Sequence, residues 1–291
     1  MTLARLQSAL GSALRARVAG DDASERAARI WDTPGERWFT EQDPVWRVHA
    51  DAAMFPGGVA ALLLQMLHPM AMAGVAGHSG YKGDPWGRLQ RTSTYLAATT
   101  FGTVEHAMDT IGHVRAIHER VRGKDAFGRP YRASDPHLLR WVHVAEAWSF
   151  LHAYQAFART PLSTAEADTY VAQAGVSAGH LGVVDPPRTV RALEGELTAY
   201  RAELEATEQA REAARFLLVE PPLPLASRPG YWAIAAGGVA LLPRYARAEL
   251  GLPASPTLSR GVLRPLGRAS TSTVRWAMAG VGRDRAQEQA A

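Results

Sequence analysis

The segment "DPWGRLQRTSTYLAATTFG" at residues 84–102 carries polar side chains that recur at helical spacing. They are the guanidiniums of Arg88 and Arg91, the hydroxyls of Thr92 and Thr99, and the phenol of Tyr95. Residues three and four apart share one face of an α-helix, so this face presents cationic and hydrogen-bonding groups together. Paired guanidiniums of this kind suit an anionic ligand.

A histidine lies on the inner face of the next predicted helix, at residues 103–121. The apolar stripe of that helix consists of Val104, Ala107 or Met108, Ile111 and Val114. His118 is the next residue on the stripe and is predicted to face the core, whereas His113 falls on a polar side. A buried imidazole needs a partner for each ring nitrogen, and a metal with a second hydrogen-bond acceptor satisfies that need.

Three other histidines are also candidates. His143 lies on a predicted helix at residues 136–159 that is apolar almost all round and is therefore central. A structural role is the favoured interpretation there, and a ligand role is the alternative. His68 precedes Pro69, which suggests a structural role, and His78 lies in a glycine-flanked loop as a ligand, a loop staple or an exposed side chain.

The chain contains no cysteine, which excludes disulfides, cysteine-ligated zinc, iron–sulfur clusters and thiolate-bound haem. Any transition metal must therefore bind to His, carboxylate, Tyr or Met. Zinc-protease, di-iron carboxylate, P-loop and dinucleotide motifs are also absent from the sequence. Two hypotheses follow from the residues alone: a haem protein, because haem iron takes an imidazole and its propionates take guanidiniums, or a helical module that binds an apolar ligand.

Helix signals dominate the elements that must position these groups. Asp43 and Asp135 each precede a proline, which is typical of a capped helix start, and "STAE" at residues 163–166 is a capping box. A short hairpin at residues 125–133 is the one β element predicted. The sequence therefore predicts an all-α fold.

Domain organisation is predicted from composition and from the breaks between helices. The chain has 291 residues, of which 47% are hydrophobic and 21% charged, as expected for a globular protein. The proline-rich segments at 219–230 and 251–259 are interpreted as connections within one domain, 1–291, with additional N- and C-terminal helices. Residues 283–291 are predicted to be a flexible tail.

Charge and hydropathy exclude several classes of partner. The net charge of +4 comes from arginines spread through most segments, so we expect no nucleic-acid partner. The N-terminal segment resembles an amphipathic helix and not a signal peptide, which favours a cytoplasmic location. The longest apolar run, at 57–77, contains Gln65, His68 and Pro69, so it predicts a kinked core helix and no membrane span. Nothing in the sequence indicates an oligomeric state.

Four segments together resemble a known family. They are "LHPMAMAGVAGHSGYKGDPWGRLQRTSTYLAATTFG", "VRAIHERVRG", "GRPYRASDPHLLRWVHVAEAWSFLHAY" and "LLPRYARAELG". Over residues 35–255, the sequence is similar to the catalytic domain shared by rubber oxygenases (latex clearing proteins) and the mycophenolic-acid-pathway oxygenase. The resemblance implies a globin-like all-α core that holds haem b and uses O₂ to split carbon–carbon double bonds of isoprenoids.

The resemblance also implies roles for individual residues. The family's R-x-x-x-T pair falls on Arg88 and Thr92, and its proximal histidine falls on His118, with His113 as the alternative if the alignment shifts by five residues. We therefore expect catalytic roles for Arg88, Thr92 and Tyr95, and an iron ligand at His118. The cofactor contacts are expected from His118, Arg88, Arg91 and His143.

Two departures from the family bear on the substrate. Rubber-cleaving members have a lysine directly before the motif threonine, and this chain has Arg91, which stays protonated and cannot bind iron. They also have a glutamate upstream of the motif arginine, whereas residues 54–83 contain no acid. The implied function is a haem b-dependent oxygenase for an apolar or aromatic molecule smaller than a polymer. The alternatives are a haem sensor or carrier without turnover and a haem-free ligand-binding protein.

Overall fold

The predicted helices form in the structure, a computed structural model that describes residues 7–13, 23–78 and 83–289. The helices are α1 (7–13), α2 (Ala23–Trp31), α3 (Pro44–Ala50), α4 (Met54–Gln65), α5 (Pro69–His78), α6 (Pro85–Phe101), α7 (Val104–His118), α8 (Pro136–Phe157), α9 (Thr164–Leu181), α10 (Val190–Ala199), α11 (Glu208–Leu218), α12 (Arg228–Leu241), α13 (Arg244–Glu249), α14 (Pro256–Leu258) and α15 (Arg264–Gln289). Short 3₁₀ turns lie at Tyr200–Glu203 and Leu225–Ser227, and a π-helical turn at Ser259–Leu263 joins α14 to α15. The all-α fold class is confirmed.

Capping residues determine where the two site helices α6 and α7 begin. The Asp84 side chain accepts a hydrogen bond from the main-chain N–H of Gly87 over 2.8 Å, and Pro85 occupies the first helical position. The Thr103 side chain likewise accepts from the N–H of His106 over 3.2 Å. These caps fix where both helices begin, and the apolar residues that follow determine which side chains face inward.

Helix α8 lies at the centre of the fold, as its apolar sequence predicts. Trp141, Val144 and Ala153 are fully buried in its middle, and α4 packs along it. Burial of large apolar side chains is the main favourable contribution to folding. Helix α8 therefore provides a well-packed wall for a cavity beside it.

A sharp corner separates α4 from α5, where the sequence predicts a single kinked helix. The two helices meet at 107°, and within the part of the chain that the structure describes no single helix is long and apolar enough to span a bilayer. Pro69 cannot continue the hydrogen-bond ladder of α4. The Leu67 carbonyl instead accepts from the N–H of Glu205 over 2.8 Å, and the Gln65 carbonyl accepts from the Trp141 indole over 3.3 Å.

The predicted hairpin is present but begins three residues before the predicted range of 125–133, with two short antiparallel strands, β1 (Arg122–Lys124) and β2 (Pro130–Arg132). Tyr131 pairs with Gly123 and is buried against α5. At the other end of the chain, α15 packs against α12 and continues to Gln289. It therefore includes most of the segment 283–291 for which the sequence predicts a flexible tail.

Candidate functional site

A cavity of about 720 Å³ lies between helices α3–α9, α11 and the hairpin. This volume is within the range of small-molecule sites, about 300–1,000 Å³. Apolar side chains form most of its wall, among them Leu62, Met66, Leu96, Val142, Phe150 and Leu217. The cavity can therefore accept a largely apolar molecule and shield it from water.

All six residues that the sequence predicts for the site line this cavity. Helix α6 contributes Arg88, Arg91, Thr92 and Tyr95, the last residue of α7 contributes His118, and α8 contributes His143. His113, the alternative to His118, is exposed and does not line the cavity. The structure thus places the predicted groups together, as the helical phase of α6 and α7 requires.

The polar groups of α6 are held in different ways. Arg88 is half-buried, whereas Arg91 is exposed and its Nη1 lies 3.2 Å from Asp84 Oδ2. The hydroxyls of Thr92 and Thr99 donate to the main-chain carbonyls one turn earlier, over 3.1 and 2.9 Å. The exposed end of α6 is therefore cationic, and both threonine protons are used within the helix.

Three imidazoles at the cavity each have a buried ring nitrogen without a hydrogen-bond partner among the described residues. They are His49 with its Nε2, His118 with its Nδ1 and His143 with its Nε2. The other nitrogen of His49 lies 2.8 Å from Thr100 Oγ1. Burial lowers the pKa of His118, and it lowers the pKa of His49 and of His143 to about 4. These imidazoles are therefore neutral near pH 7, which is the form that binds a metal.

Glu146 is a site residue that sequence reasoning missed. It lines the cavity three residues after His143 on α8, and burial raises the pKa of its carboxyl to about 7. Burial also raises the pKa of the Tyr95 and Tyr170 phenols, and the nearby Glu146 raises both further. At neutral pH the carboxyl can therefore take up or release a proton while both phenols stay protonated.

A signal for Glu146 was present in the sequence. An acid on a helix that is apolar almost all round has no solvent-exposed face to occupy, and the three-residue spacing from His143 places both side chains on the same side. Among the described residues that line the cavity, Glu146 is the only carboxylic acid. Helices α4 and α5 contain no acidic residue, so the carboxyl group at the cavity comes from α8.

Comparison with known families gives a match over most of the chain. The family model described as "ER-bound oxygenase mpaB/B'/Rubber oxygenase, catalytic domain" matches residues 46–278. The match includes every cavity-lining residue except Phe39 and Val45, and it extends into α15, beyond the residue 255 at which the resemblance was expected to end. No curated protein and no solved structure matches the chain.

Proposed function

The chain belongs to the family of mpaB/rubber oxygenase catalytic domains, and on this premise we propose that it is a haem b-dependent oxygenase. We propose further that it acts with O₂ on an apolar or aromatic small molecule, by cleaving a double bond or by simple oxygenation. The observation that carries the proposal is the apolar cavity of about 720 Å³, which is lined by the guanidiniums of α6 and by three imidazoles that each have a buried ring nitrogen.

The residues present fit haem b. An imidazole with a buried ring nitrogen that has no partner among the described residues is a suitable axial ligand, and the half-buried His118 and the buried His143 both meet this condition. His118 would hold the iron, because the resemblance places the family's proximal histidine at this position and the side chain lines the cavity. Arg88 and Arg91 would bind the propionates. Bound haem would supply the iron chemistry that activates O₂.

The other cavity residues determine what happens around the cofactor. The apolar wall binds substrate by removing its surface from water, and excludes water from the reacting groups. Glu146 can hold a proton at its carboxyl or accept one near neutral pH, because burial raises its pKa to about 7. Tyr95 and Tyr170 stay protonated and can donate hydrogen bonds into the same space.

Oxygen uptake by the haem-loaded chain tests the proposal. Short isoprenoids, aromatic alkenes and long polyisoprene are supplied in turn, and products formed under ¹⁸O₂ are analysed by mass spectrometry. We expect uptake and labelled products with the short or aromatic substrates, because the cavity volume admits a small molecule and not a polymer coil. Haem-loaded protein that consumes no O₂ with any of them would instead be a haem carrier.

The matched variants are Glu146→Gln, which removes an acid from the cavity, and Glu220→Gln, which removes an exposed acid outside it. We expect the first to lower turnover while haem absorbance stays unchanged, and the second to leave both unchanged. Equal turnover in the two variants would show that Glu146 takes no part in the reaction.

A further inference from the structure

A second cluster of metal-binding side chains lies outside the cavity. His68, His137 and Glu203 offer ligand atoms that all lie within 4.8 Å of one another. The Nε2 of His137 lies 2.8 Å from Oε2 of Glu203, and the Nε2 of His68 lies 3.5 Å from the same oxygen. None of the three residues lines the cavity, so the cluster is separate from the site described above.

His68 indicates that the cluster is more than an ion pair. Its side chain is only 3% exposed, and neither ring nitrogen has a hydrogen-bond partner among the described residues. The 3.5 Å approach to Glu203 is at the limit of hydrogen-bond distance and does not satisfy the ring. A buried imidazole without partners is costly. A cation between His68 Nε2 and the carboxylate would bind that nitrogen.

The donors also match one class of metal. Two imidazole nitrogens and one carboxylate oxygen are a common zinc ligand set, with bonds of about 2.0–2.2 Å. Tetrahedral ligands at that bond length lie about 3.4 Å from one another. Here one pair of ligand atoms is 2.8 Å apart, and all of them lie within 4.8 Å of one another. Glu203 and His137 are exposed, so water can reach a fourth coordination position.

Tyr200 orients one of these ligands. Its hydroxyl donates to the His137 carbonyl over 2.8 Å and lies 3.3 Å from His137 Nδ1. A proton on Nδ1 that points to this hydroxyl leaves Nε2 directed at the cluster with a lone pair. Outer partners of this kind fix the tautomer and ring orientation of metal-binding histidines.

We infer that His68, His137 and Glu203 form a binding site for a divalent transition metal of the zinc type. The three ligands come from the α4–α5 corner, the start of α8 and the 3₁₀ turn after α10. The metal therefore joins three segments that are distant in sequence. It also fixes the residue directly before α5, which carries part of the cavity wall.

Zinc titration of the full-length chain tests this inference. The tag-free protein is dialysed against a chelator and titrated with Zn²⁺ by calorimetry, with Mg²⁺ as a control ion because it prefers all-oxygen sites. The variants His137→Ala and Glu203→Gln change exposed ligands, and His113→Ala changes an exposed histidine outside the cluster. Zinc-edge X-ray absorption then reports the ligands without interference from any bound haem.

We expect the wild type and His113→Ala to bind one Zn²⁺ per chain and to show a higher melting temperature with Zn²⁺. We expect His137→Ala and Glu203→Gln to weaken binding by at least about tenfold, and Tyr200→Phe by about 10–100-fold. Absence of saturable Zn²⁺ binding by the wild type, or wild-type affinity in both ligand variants, would overturn the inference and reduce the cluster to an ion pair.

Discussion

Thr92 donates its hydroxyl proton to the main-chain carbonyl of Arg88 over 3.1 Å, within the cavity-facing helix α6. The two residues of the R-x-x-x-T pair are therefore linked through the backbone, and the threonine hydroxyl has its proton engaged. Its remaining capacity is to accept a hydrogen bond. The guanidinium of Arg88 is the charged group of the pair, which separates the effects expected of the two side chains.

Arg88→Leu is expected to weaken haem binding more than Thr92→Val. Loss of a charge-assisted hydrogen bond costs about 1.5–3 kcal/mol, which corresponds to a rise of roughly 10–150-fold in the dissociation constant for haem. Thr92→Val removes a back-bond within the helix and should change that constant by less than about twofold. Haem transfer to an acceptor protein measures both, and equal retention in the two variants would contradict the role of Arg88.

Glu146 is expected to make stability depend on pH. Burial raises its pKa to about 7 from an ordinary value of 4.5, so between these pH values the folded chain keeps a proton that the unfolded chain releases. Its stabilising contribution is thus complete below pH 4.5 and is lost as pH rises through 7, by roughly 3 kcal/mol. Urea unfolding from pH 4 to 8 measures the free energy.

The control is Glu146→Gln, which resembles the protonated acid at every pH. His49 and His143, with pKa values lowered by burial to about 4, give the opposite trend, with stability that falls as pH drops through 6.5 towards 4. That trend is common to both proteins, so the difference between them isolates Glu146. A wild-type minus variant difference that stays constant from pH 4 to 8 would show that the carboxyl is not buried.

The contact between α12 and α15 depends on two glycines. A Cβ atom at Gly267 would lie 2.5 Å from the Cα of Gly237 and 2.9 Å from the Phe157 ring. Gly267→Ala should therefore lower the free energy of unfolding by about 1–3 kcal/mol. Gly195→Ala in α10, where nothing lies within 4 Å of the added atom, should raise it by up to about 1 kcal/mol. Equal changes in urea unfolding would mean that the helices do not meet at Gly267.

Periodicity made part of the site predictable. Ala107 and Ile111 are buried on the stripe that leads to His118, while Met108, offered as an alternative stripe position, is 41% exposed. The position of a side chain within one helix follows from the 3.6-residue repeat, so α6 and α7 could be oriented from the sequence. The angle of the α4–α5 corner could not be predicted from the sequence, because it depends on contacts from distant segments. One such contact is the hydrogen bond that the Glu205 N–H donates to the Leu67 carbonyl.

The two groups that sequence reasoning missed differ in kind. The spacing of Glu146 from His143 places both side chains on the same side of α8. The apolar sequence of α8 has no polar stripe, however, so no pattern marks Glu146 as a site residue. His68, His137 and Glu203 come from three segments with no motif spacing between them. Their proximity is a property of the tertiary fold, and only the structure brings their ligand atoms within 4.8 Å.

The central claim is that the cavity binds haem through His118, and haem titration of four proteins tests it most directly. The wild type, His118→Ala, His143→Ala and His113→Ala are titrated with haem b and followed by absorption spectroscopy. We predict one haem per chain and a histidine-ligated Soret spectrum for the wild type and His113→Ala, retention of that ligand in His143→Ala, and its loss in His118→Ala. A wild type that binds no haem, or a His118→Ala spectrum identical to that of the wild type, would contradict the claim.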